Sequence, residues 1–429
     1  MSSSAGPILH TLPNGVRVVA LPSTALATST VAVFVRSGSA HEPKLVNGIS
    51  HVVEHMLFKG TTTRDARRIN LDAEVLGADV NAHTDRDHTA FYIRGLPEHS
   101  SEFARMLADL VLRPSFPEDE LERERQVLLQ ELTEDEDDPV SSAYKLFDAA
   151  CWGLHPAAMP VIGTRTRVER LTRDDLVHYV QRQYRGTNVV VGAAGPIDAD
   201  AFVRDCTAAF GALPAGEPNA IDTPAYVGGV RTRSQAGSSQ SHAVLGGVLA
   251  PRRDATLQDE AAAALAAAVL GEGMSSPLLH ELRERRALAY HVSASAEALD
   301  MCGQFIIEAS MAPERFDECL QAVLALLTQH ARRIDAQDLA RARRQLAVRR
   351  LRTLEKPLRQ IEDAALDLFA HGRLRMHDER LAALAAVSAH AVRGVFERLL
   401  GAGLSLALTG SVKRAAGQRA REMLDTARP

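Results

Sequence analysis

The sequence predicts an α+β protein built from two related units. Its 429 residues are enough for two domains of ordinary size. Short segments rich in β-branched residues alternate with longer segments of helical period. Their order recurs, because the helical segment beginning at Arg123 aligns with the one beginning at Arg341, and the same offset places Pro139 on Pro357. Two units joined near residues 214–218 explain this order better than chance similarity between helices, which is the alternative.

Strands are expected wherever valine-rich or aromatic segments stop at a breaker. Residues 16–21 end at Pro22, which lacks the N–H that a sheet ladder needs, and residues 189–193 end near Gly195. Residues 30–36 and 89–94 have the same β-branched and aromatic composition. Proline, aspartate or threonine opens several of the helical segments and glycine follows several of them. These segments are 46–58, 64–76, 98–112, 117–135 and 172–184.

The composition excludes several classes of protein. The chain has 49 Lys and Arg against 54 Asp and Glu, so a nucleic-acid partner is not expected. No segment has the ~20 consecutive apolar residues that span a bilayer, and the N-terminal residues lack the features of a targeting signal. A cytoplasmic protein without a membrane partner is therefore expected. The four cysteines lie far apart, which predicts neither a disulfide framework nor a cysteine metal site.

The strongest chemical signal is an H-x-x-E-H motif formed by His51, Glu54 and His55. Residues four apart share one face of a helix, so both histidines can direct a ring nitrogen at one metal ion. Glu54 then lies beside the ion, free to act on water rather than to ligate. The alternative is a helix with two surface histidines, but the apolar residues of segment 49–57 leave little exposed face for them.

A catalytic zinc ion bound by two histidines needs a third protein ligand. In the helix expected at 117–135, Leu121, Glu124, Leu128 and Glu131 follow steps of three and four residues and form one inward stripe. Glu131 is the predicted third ligand. Glu124, two turns away, is the predicted carboxylate that orients a ligand histidine, with a surface glutamate as the alternative for either residue.

The repeat provides an internal control for the metal site. At the repeat offset, Glu124 becomes Ala342 and Glu131 becomes Arg349. The segment 261–270, which corresponds to the histidine helix, contains no histidine. The second half is therefore predicted not to bind the metal.

The motif formed by His51, Glu54 and His55 resembles that of the pitrilysin family of zinc peptidases, whose inverzincin signature is H-x-x-E-H. The length resembles the half-size subgroup related to the mitochondrial processing peptidase. The resemblance implies two homologous α/β sandwich domains, 1–216 and 217–429, each with a mixed, largely antiparallel sheet flanked by helices. It also implies one zinc ion per subunit, bound by His51, His55 and Glu131, with Glu54 as general base.

Two further implications concern the substrate. By the resemblance, Asn81 and Ala82 lie on an edge strand that pairs with an extended peptide. A glycine-rich loop at 271–276 is followed by Arg283 and Tyr290, which the resemblance implies would hold substrate carbonyls, with Tyr290 helping to stabilise the oxyanion. Pro277 departs from the family pattern, in which a basic residue is usual.

The expected function is that of a zinc endopeptidase that cleaves extended or unstructured peptides. The resemblance implies that a half-size chain pairs with a second subunit into a clamshell chamber. Because this sequence carries both the zinc residues and Arg283 and Tyr290, a homodimer is expected, with a zinc-less paralogue as the alternative partner. One rival function is a peptidase dedicated to one precursor peptide, such as a cofactor precursor. A rival of another class is a non-catalytic scaffold subunit, which the complete set of His51, His55, Glu54 and Glu131 argues against.

Overall fold

The computed structural model describes residues 6–428, which form two compact units. The first unit contains residues 6–132, 160–221 and 352–374, and the second contains 133–159, 222–351 and 375–428. Each unit has one β-sheet with helices packed against it, which confirms the predicted fold class. Within residues 6–428, no helix has the length and apolar character needed to cross a membrane.

The first unit contains a six-stranded sheet with the order β1-β2-β6-β3-β5-β4. Neighbouring strands are antiparallel except β2 and β6, which are parallel. Strand β4 therefore lies at one edge of the sheet. The strands are β1 (Ile8–Thr11), β2 (Arg17–Pro22), β3 (Ser29–Val35), β4 (Asp79–Thr84), β5 (Thr89–Gly95) and β6 (Val189–Gly195).

The second unit contains a five-stranded sheet with the order β7-β11-β8-β10-β9. It also has one parallel pair, β7 with β11, and is otherwise antiparallel. This order repeats that of β2, β6, β3, β5 and β4, so the internal repeat seen in the sequence extends to the strand topology. The strands are β7 (Gly229–Thr232), β8 (Ser241–Leu249), β9 (His291–Ala298), β10 (Gly303–Met311) and β11 (Ser405–Gly410).

Sixteen α-helical segments are found within residues 6–428. Those before β7 are α1 (Ile49–Leu57), α2 (Ala66–Val75), α3 (Ser100–Leu112), α4 (Glu118–Asp137), α5 (Pro139–Trp152), α6 (Arg165–Val168), α7 (Arg173–Gln183) and α8 (Ala199–Phe210). Those after it are α9 (Leu257–Gly271), α10 (Pro277–Leu279), α11 (Phe316–Arg332), α12 (Ala336–Thr353), α13 (Pro357–His371), α14 (His377–Ala386), α15 (Ala389–Ala402) and α16 (Ala416–Ala427).

The division into units differs from the predicted domains 1–216 and 217–429. The changeover near the middle of the chain lies between Ile221 and Asp222, and the two units also exchange equivalent segments. Helix α5 belongs to the second unit, where it packs on β11 and β8, and α13 belongs to the first, where it packs on β6 and β3. The sequence alignment matched Pro139, which begins α5, with Pro357, which begins α13, but gave no sign that each helix covers the sheet of the other half.

Both faces of the first sheet are apolar, so each face needs a cover. In β3, Val31, Val33 and Val35 pack on the face that carries α1 and α3, whereas Ala32 and Phe34 pack on the opposite face. Side chains alternate between faces along a strand, so a continuous apolar strand needs a cover on each side. Helix α13 covers the second face through an apolar group that includes Ile361, Ala365 and Phe369.

The helix approaches the sheet most closely at Gly192 of β6. A Cβ atom at this position would lie 2.0 Å from Cγ2 of Ile361. We expect Gly192→Ala to lower the free energy of unfolding by about 1–3 kcal/mol or more, since the crowded core cannot absorb the methyl group. Ile361→Ala should cost about 2–5 kcal/mol through the cavity that it leaves. Urea unfolding curves of both single variants and the double variant measure these changes.

The double variant should be less destabilised than the sum of the two single variants, because removing the Ile361 side chain makes room for the new methyl group. Gly401→Ala is a matched control, since no atom lies within 4 Å of its added Cβ and α15 tolerates alanine. Strict additivity of Gly192→Ala and Ile361→Ala would contradict the packing of α13 on β6.

Candidate metal centre

Helix α1 is held at its N-terminus by a buried glutamate. Glu42 is 3% exposed, and its carboxylate accepts hydrogen bonds from the backbone N–H groups of Gly48 (2.7 Å) and Ser50 (2.8 Å) and from Nδ2 of Asn47 (2.8 Å). These bonds satisfy donors that the first turn of a helix leaves unpaired. Burial raises the pKa of Glu42 to about 7, although the bonds from Ser50 and Gly48 act in the opposite direction. The start of α1 is thereby fixed relative to the preceding loop.

His51 and His55 lie on the same face of α1. Val52, Val53 and Met56 are buried in the core on the other face, which leaves the two imidazoles between the core and the surface. Their ring centroids are 4.7 Å apart. Burial, followed by the proximity of His55, lowers the pKa of His51 to about 4. This imidazole is therefore neutral near pH 7, as a metal ligand must be.

Helix α4 brings two glutamates to these histidines. Oε2 of Glu131 lies 3.7 Å from Nε2 of His51 and 3.7 Å from Nε2 of His55. Donor atoms of the three residues all lie within 4.8 Å of one another. The buried side chains Leu121 and Leu128 fix the rotation of α4 and place the glutamate on the same side as the imidazoles.

Glu124 lies two turns before Glu131 and is bound to the other side of the His55 ring. Its Oε2 is 3.1 Å from Nδ1 of His55, and its Oε1 is 2.5 Å from Nζ of Lys59. Burial alone would raise the pKa of Glu124, but the hydrogen bonds from Lys59 and His55 outweigh it and lower that pKa. An ionised carboxylate on Nδ1 holds the proton there and turns Nε2 toward Glu131, the arrangement found around metal-bound histidines.

Glu54 is placed beside this group. Its Oε2 accepts a hydrogen bond of 2.6 Å from Oγ1 of Thr84, on strand β4. Burial raises the pKa of Glu54, while the bond from Thr84 opposes the rise. The side chain is thus oriented by a neighbouring strand and is not one of the three clustered donors.

The positions of the second half that are equivalent to Glu124 and Glu131 hold Ala342 and Arg349, which have different surroundings. Ala342 is fully buried in α12, and Arg349 is bound to Glu272. Among residues 6–428, clusters of three His, Cys, Asp or Glu donors within 4.8 Å occur only in the first unit.

The predicted substrate residues lie in both units. Asn81 and Ala82 are on β4, the edge strand, and Oδ1 of Asn81 accepts a hydrogen bond from the Ala82 N–H (2.8 Å). In the second unit, Arg283 lies in a π-helical turn at His280–Arg285, with its side chain 45% exposed. Tyr290 precedes β9 and is 78% exposed. Both side chains are therefore available on the surface of their own unit.

Three residues of this centre were not assigned a role from the sequence: Glu42, Lys59 and Thr84. Lys59 is four residues after His55, so its side chain lies near the histidine, but nothing in the sequence shows that Glu124 joins them. Thr84 belongs to the segment that contains Asn81, and its contact with Glu54 depends on the packing of β4 beside α1. Glu42 lies outside any periodic pattern, and no signal in the sequence identifies it as the residue at the start of α1.

Two imidazole nitrogens and one carboxylate oxygen, with a free carboxylate beside them, are the donor types of catalytic zinc sites in hydrolases. Comparisons with known proteins indicate the same class of protein, a metal-dependent hydrolase. The profile described as Insulinase (Peptidase family M16) matches residues 17–165, and the profile of the Peptidase M16 inactive domain matches residues 170–346.

Bacterial relatives cover almost the whole chain. A protein of Streptomyces coelicolor named an uncharacterized zinc protease is 31% identical over 94% of this chain and 89% of its own length. One of Bacillus subtilis with the same description is 29% identical over 93% of this chain and 97% of its own. A crystal structure of a peptidase M16 inactive domain from Pseudomonas fluorescens superposes with a TM-score of 0.87 at 21% identity, covering 95% of this chain and 98% of that one.

The chain belongs to peptidase family M16, the insulinase family. The resemblance identified from H-x-x-E-H is thereby confirmed, as is the half-size length, since the relatives named zinc proteases match nearly end to end. The likeness to the solved structure concerns the fold alone.

Replacement of the two glutamates of α4 tests their separate roles. Glu131→Gln should sharply reduce zinc content, because an amide is a poor substitute for a ligating carboxylate. Glu124→Gln should weaken zinc affinity by about 10–100-fold, because it removes only the partner of His55. Metal analysis after dialysis against a zinc buffer measures both effects. Glu122→Gln, whose side chain is 67% exposed on the same helix, is the matched control and should keep its zinc. A greater loss in Glu124→Gln than in Glu131→Gln would exchange the two assignments.

Proposed function

We propose that the protein is a zinc-dependent endopeptidase that hydrolyses extended or unstructured peptides. The observation that carries this proposal is the cluster of His51, His55 and Glu131 with Glu54 beside it. Zinc sites with three protein ligands leave one position for water or substrate, and this donor set has that composition. The complete cluster argues against a non-catalytic scaffold subunit, whose role needs none of these residues.

The residues of the cluster fit a zinc ion in charge and in geometry. Nε2 of His51, Nε2 of His55 and Oε2 of Glu131 converge from two helices, and Glu124 holds His55 in the orientation that ligation requires. This set would hold the one zinc ion of each catalytic site. When bound, zinc would lower the pKa of water to about 7 and polarise the scissile carbonyl.

Glu54 supplies the proton transfers of the proposed reaction. As a carboxylate it takes a proton from the attacking water, and as a carboxylic acid it gives that proton to the leaving amine. Thr84 donates to Oε2 of Glu54, which keeps the carboxylate in one position during both steps. The burial that raises the pKa of Glu54 also makes it a stronger base.

Strand β4 provides a binding mode that suits extended peptides. An edge strand offers unpaired backbone groups, so a peptide can add to the sheet through main-chain hydrogen bonds that read little of its sequence. Asn81 and Ala82 are the proposed contacts, and Thr84 on the same strand already bonds to Glu54. The bound peptide would thus lie close to the base that acts on it.

Arg283 and Tyr290 are proposed to complete the site from a second subunit. An arginine and a phenol donate hydrogen bonds, as binding of substrate carbonyls and of a developing oxyanion requires. Since one chain carries both these residues and the metal cluster, a homodimer with two composite sites needs no other protein. A zinc-less paralogue as partner, in a peptidase dedicated to one precursor, is the alternative.

Glu54→Gln tests the proposed base. The variant should retain zinc, because Glu54 is not a ligand, and should lose at least ~10²-fold in turnover, because the amide accepts no proton from water. Zinc content and cleavage of a panel of unstructured peptides are measured on the same preparation, with Glu122→Gln as control. Loss of the zinc ion held by His51, His55 and Glu131 in Glu54→Gln would make Glu54 a ligand, and full activity would exclude it as the base.

Complementation tests the shared site. Glu54→Gln and the double variant Arg283→Ala/Tyr290→Phe are each expected to be nearly inactive. After subunit exchange, mixed dimers contain one site built wholly from unmutated residues, so partial activity should return. Mass spectrometry of isotope-labelled subunits verifies the exchange. If activity stays absent although mixed dimers form, the shared site is wrong: either both elements belong to one subunit's own site or a partner chain is required.

A further inference from the structure

A second cluster of metal-binding side chains lies on the face of the first sheet that α13 covers. His83 is on β4, His88 is in the turn before β5, and Glu362 is on α13. Donor atoms of these three residues lie within 4.8 Å of one another, as they do in the first cluster. None of the three has a role in the proposed peptidase reaction.

His88 is the most informative member of this second cluster. It is 2% exposed, and its Nδ1 is 2.8 Å from Oδ1 of Asp87. Its Nε2 is buried without a hydrogen-bond partner and points at Oε1 of Glu362, 3.7 Å away. A carboxylate on Nδ1 with Nε2 directed at other donors is the arrangement that orients histidine ligands in metal sites.

Glu362 is fixed from its other side. Its Oε2 accepts a hydrogen bond of 2.8 Å from Nη1 of Arg359, one turn earlier in α13. This bond leaves Oε1 on the side of His88. The third member, His83, has its ring 5.5 Å from that of His88 at an interplanar angle of 88°. The three side chains therefore converge from a strand, a turn and a helix.

Two readings of this cluster predict different distances. If His88 were an imidazolium ion paired with Glu362, its Nε2–H would donate at about 2.8–2.9 Å, and 3.7 Å is too long for that hydrogen bond. Ligands of one tetrahedral zinc ion, with bonds of about 2.0–2.1 Å, lie roughly 3.4 Å apart. The separation of 3.7 Å equals that between Glu131 and each histidine of the first cluster.

We propose that His83, His88 and Glu362 bind a second divalent transition-metal ion, for which zinc is the natural probe. Two imidazoles and one carboxylate suit zinc. The charge at the cluster also favours a cation: Asp87 and Glu362 are acidic, and Arg359 is the basic partner of Glu362.

The role that follows is structural. His83 and Thr84 are consecutive on β4, so their side chains lie on opposite faces of the sheet. Thr84 bonds to Glu54 on one face, and His83 joins the second cluster on the other. An ion in the second cluster would tie the edge strand and the following turn to α13 without entering the catalytic cluster.

The stoichiometry of zinc tests this proposal on the full chain. Protein stripped with a chelator is titrated with zinc and analysed by native mass spectrometry. The wild type should bind two ions, and Glu362→Gln and His83→Phe should bind one. Phenylalanine keeps a ring against Phe34 and Tyr92, neighbours of His83, so His83→Phe controls for misfolding of Glu362→Gln. Glu355→Gln, an exposed acid before α13, is the matched control and should bind two.

Glu131→Gln separates the two clusters. This variant should keep the ion of the second cluster, and zinc should then raise its melting temperature, whereas the combination with His83→Phe should abolish that rise. A single ion in the wild type that persists in Glu362→Gln and His83→Phe would overturn the second site. Failure of the peptidase proposal would instead appear as inactivity of a wild type that holds two ions, so the two failures are distinguishable.

Discussion

The first sheet is apolar on both faces, and the need to cover both faces governs the arrangement of the first unit. Strand β3 supplies valines to one side and Ala32 and Phe34 to the other, so neither side tolerates water. Helices α1 and α3 cover one side, and α1 carries His51 and His55, the candidate metal ligands. Helix α13 covers the other, and its approach at Gly192 determines where Glu362 meets the hairpin of β4 and β5.

Carboxylates with fixed partners organise the polar part of the same unit. Glu42 accepts the free N–H groups at the start of α1, and Glu124 holds the His55 ring with the help of Lys59. Thr84 holds Glu54. A buried carboxylate without such donors would be costly, so each of these bonds both stabilises the fold and fixes the direction of a side chain. The precision of the candidate centre therefore comes in part from residues outside the three clustered donors.

Local sequence patterns predicted the elements well and the long-range contacts only in part. The helix predicted at 117–135 is α4. Its stripe of leucines placed Glu131 and Glu124 on the face that lies toward His51 and His55, because helical period fixes direction within one element. The motif on α1 was found for the same reason. The helix that covers the second face of the first sheet was missed, since nothing in residues 357–371 specifies which sheet they cover. Glu42 and Lys59 were missed because their roles depend on tertiary neighbours.

The exchange of α5 and α13 has a consequence for synthesis of the chain. A ribosome completes β6 well before it reaches α13, so the first sheet is made long before the helix that covers one of its faces. Until then Val19, Ala32 and Phe34 have no cover from their own unit. Domains usually fold in the order in which they are made, and exposed apolar strands favour aggregation. Here the first unit cannot complete its fold until α13 has been made, after most of the second unit has been synthesised.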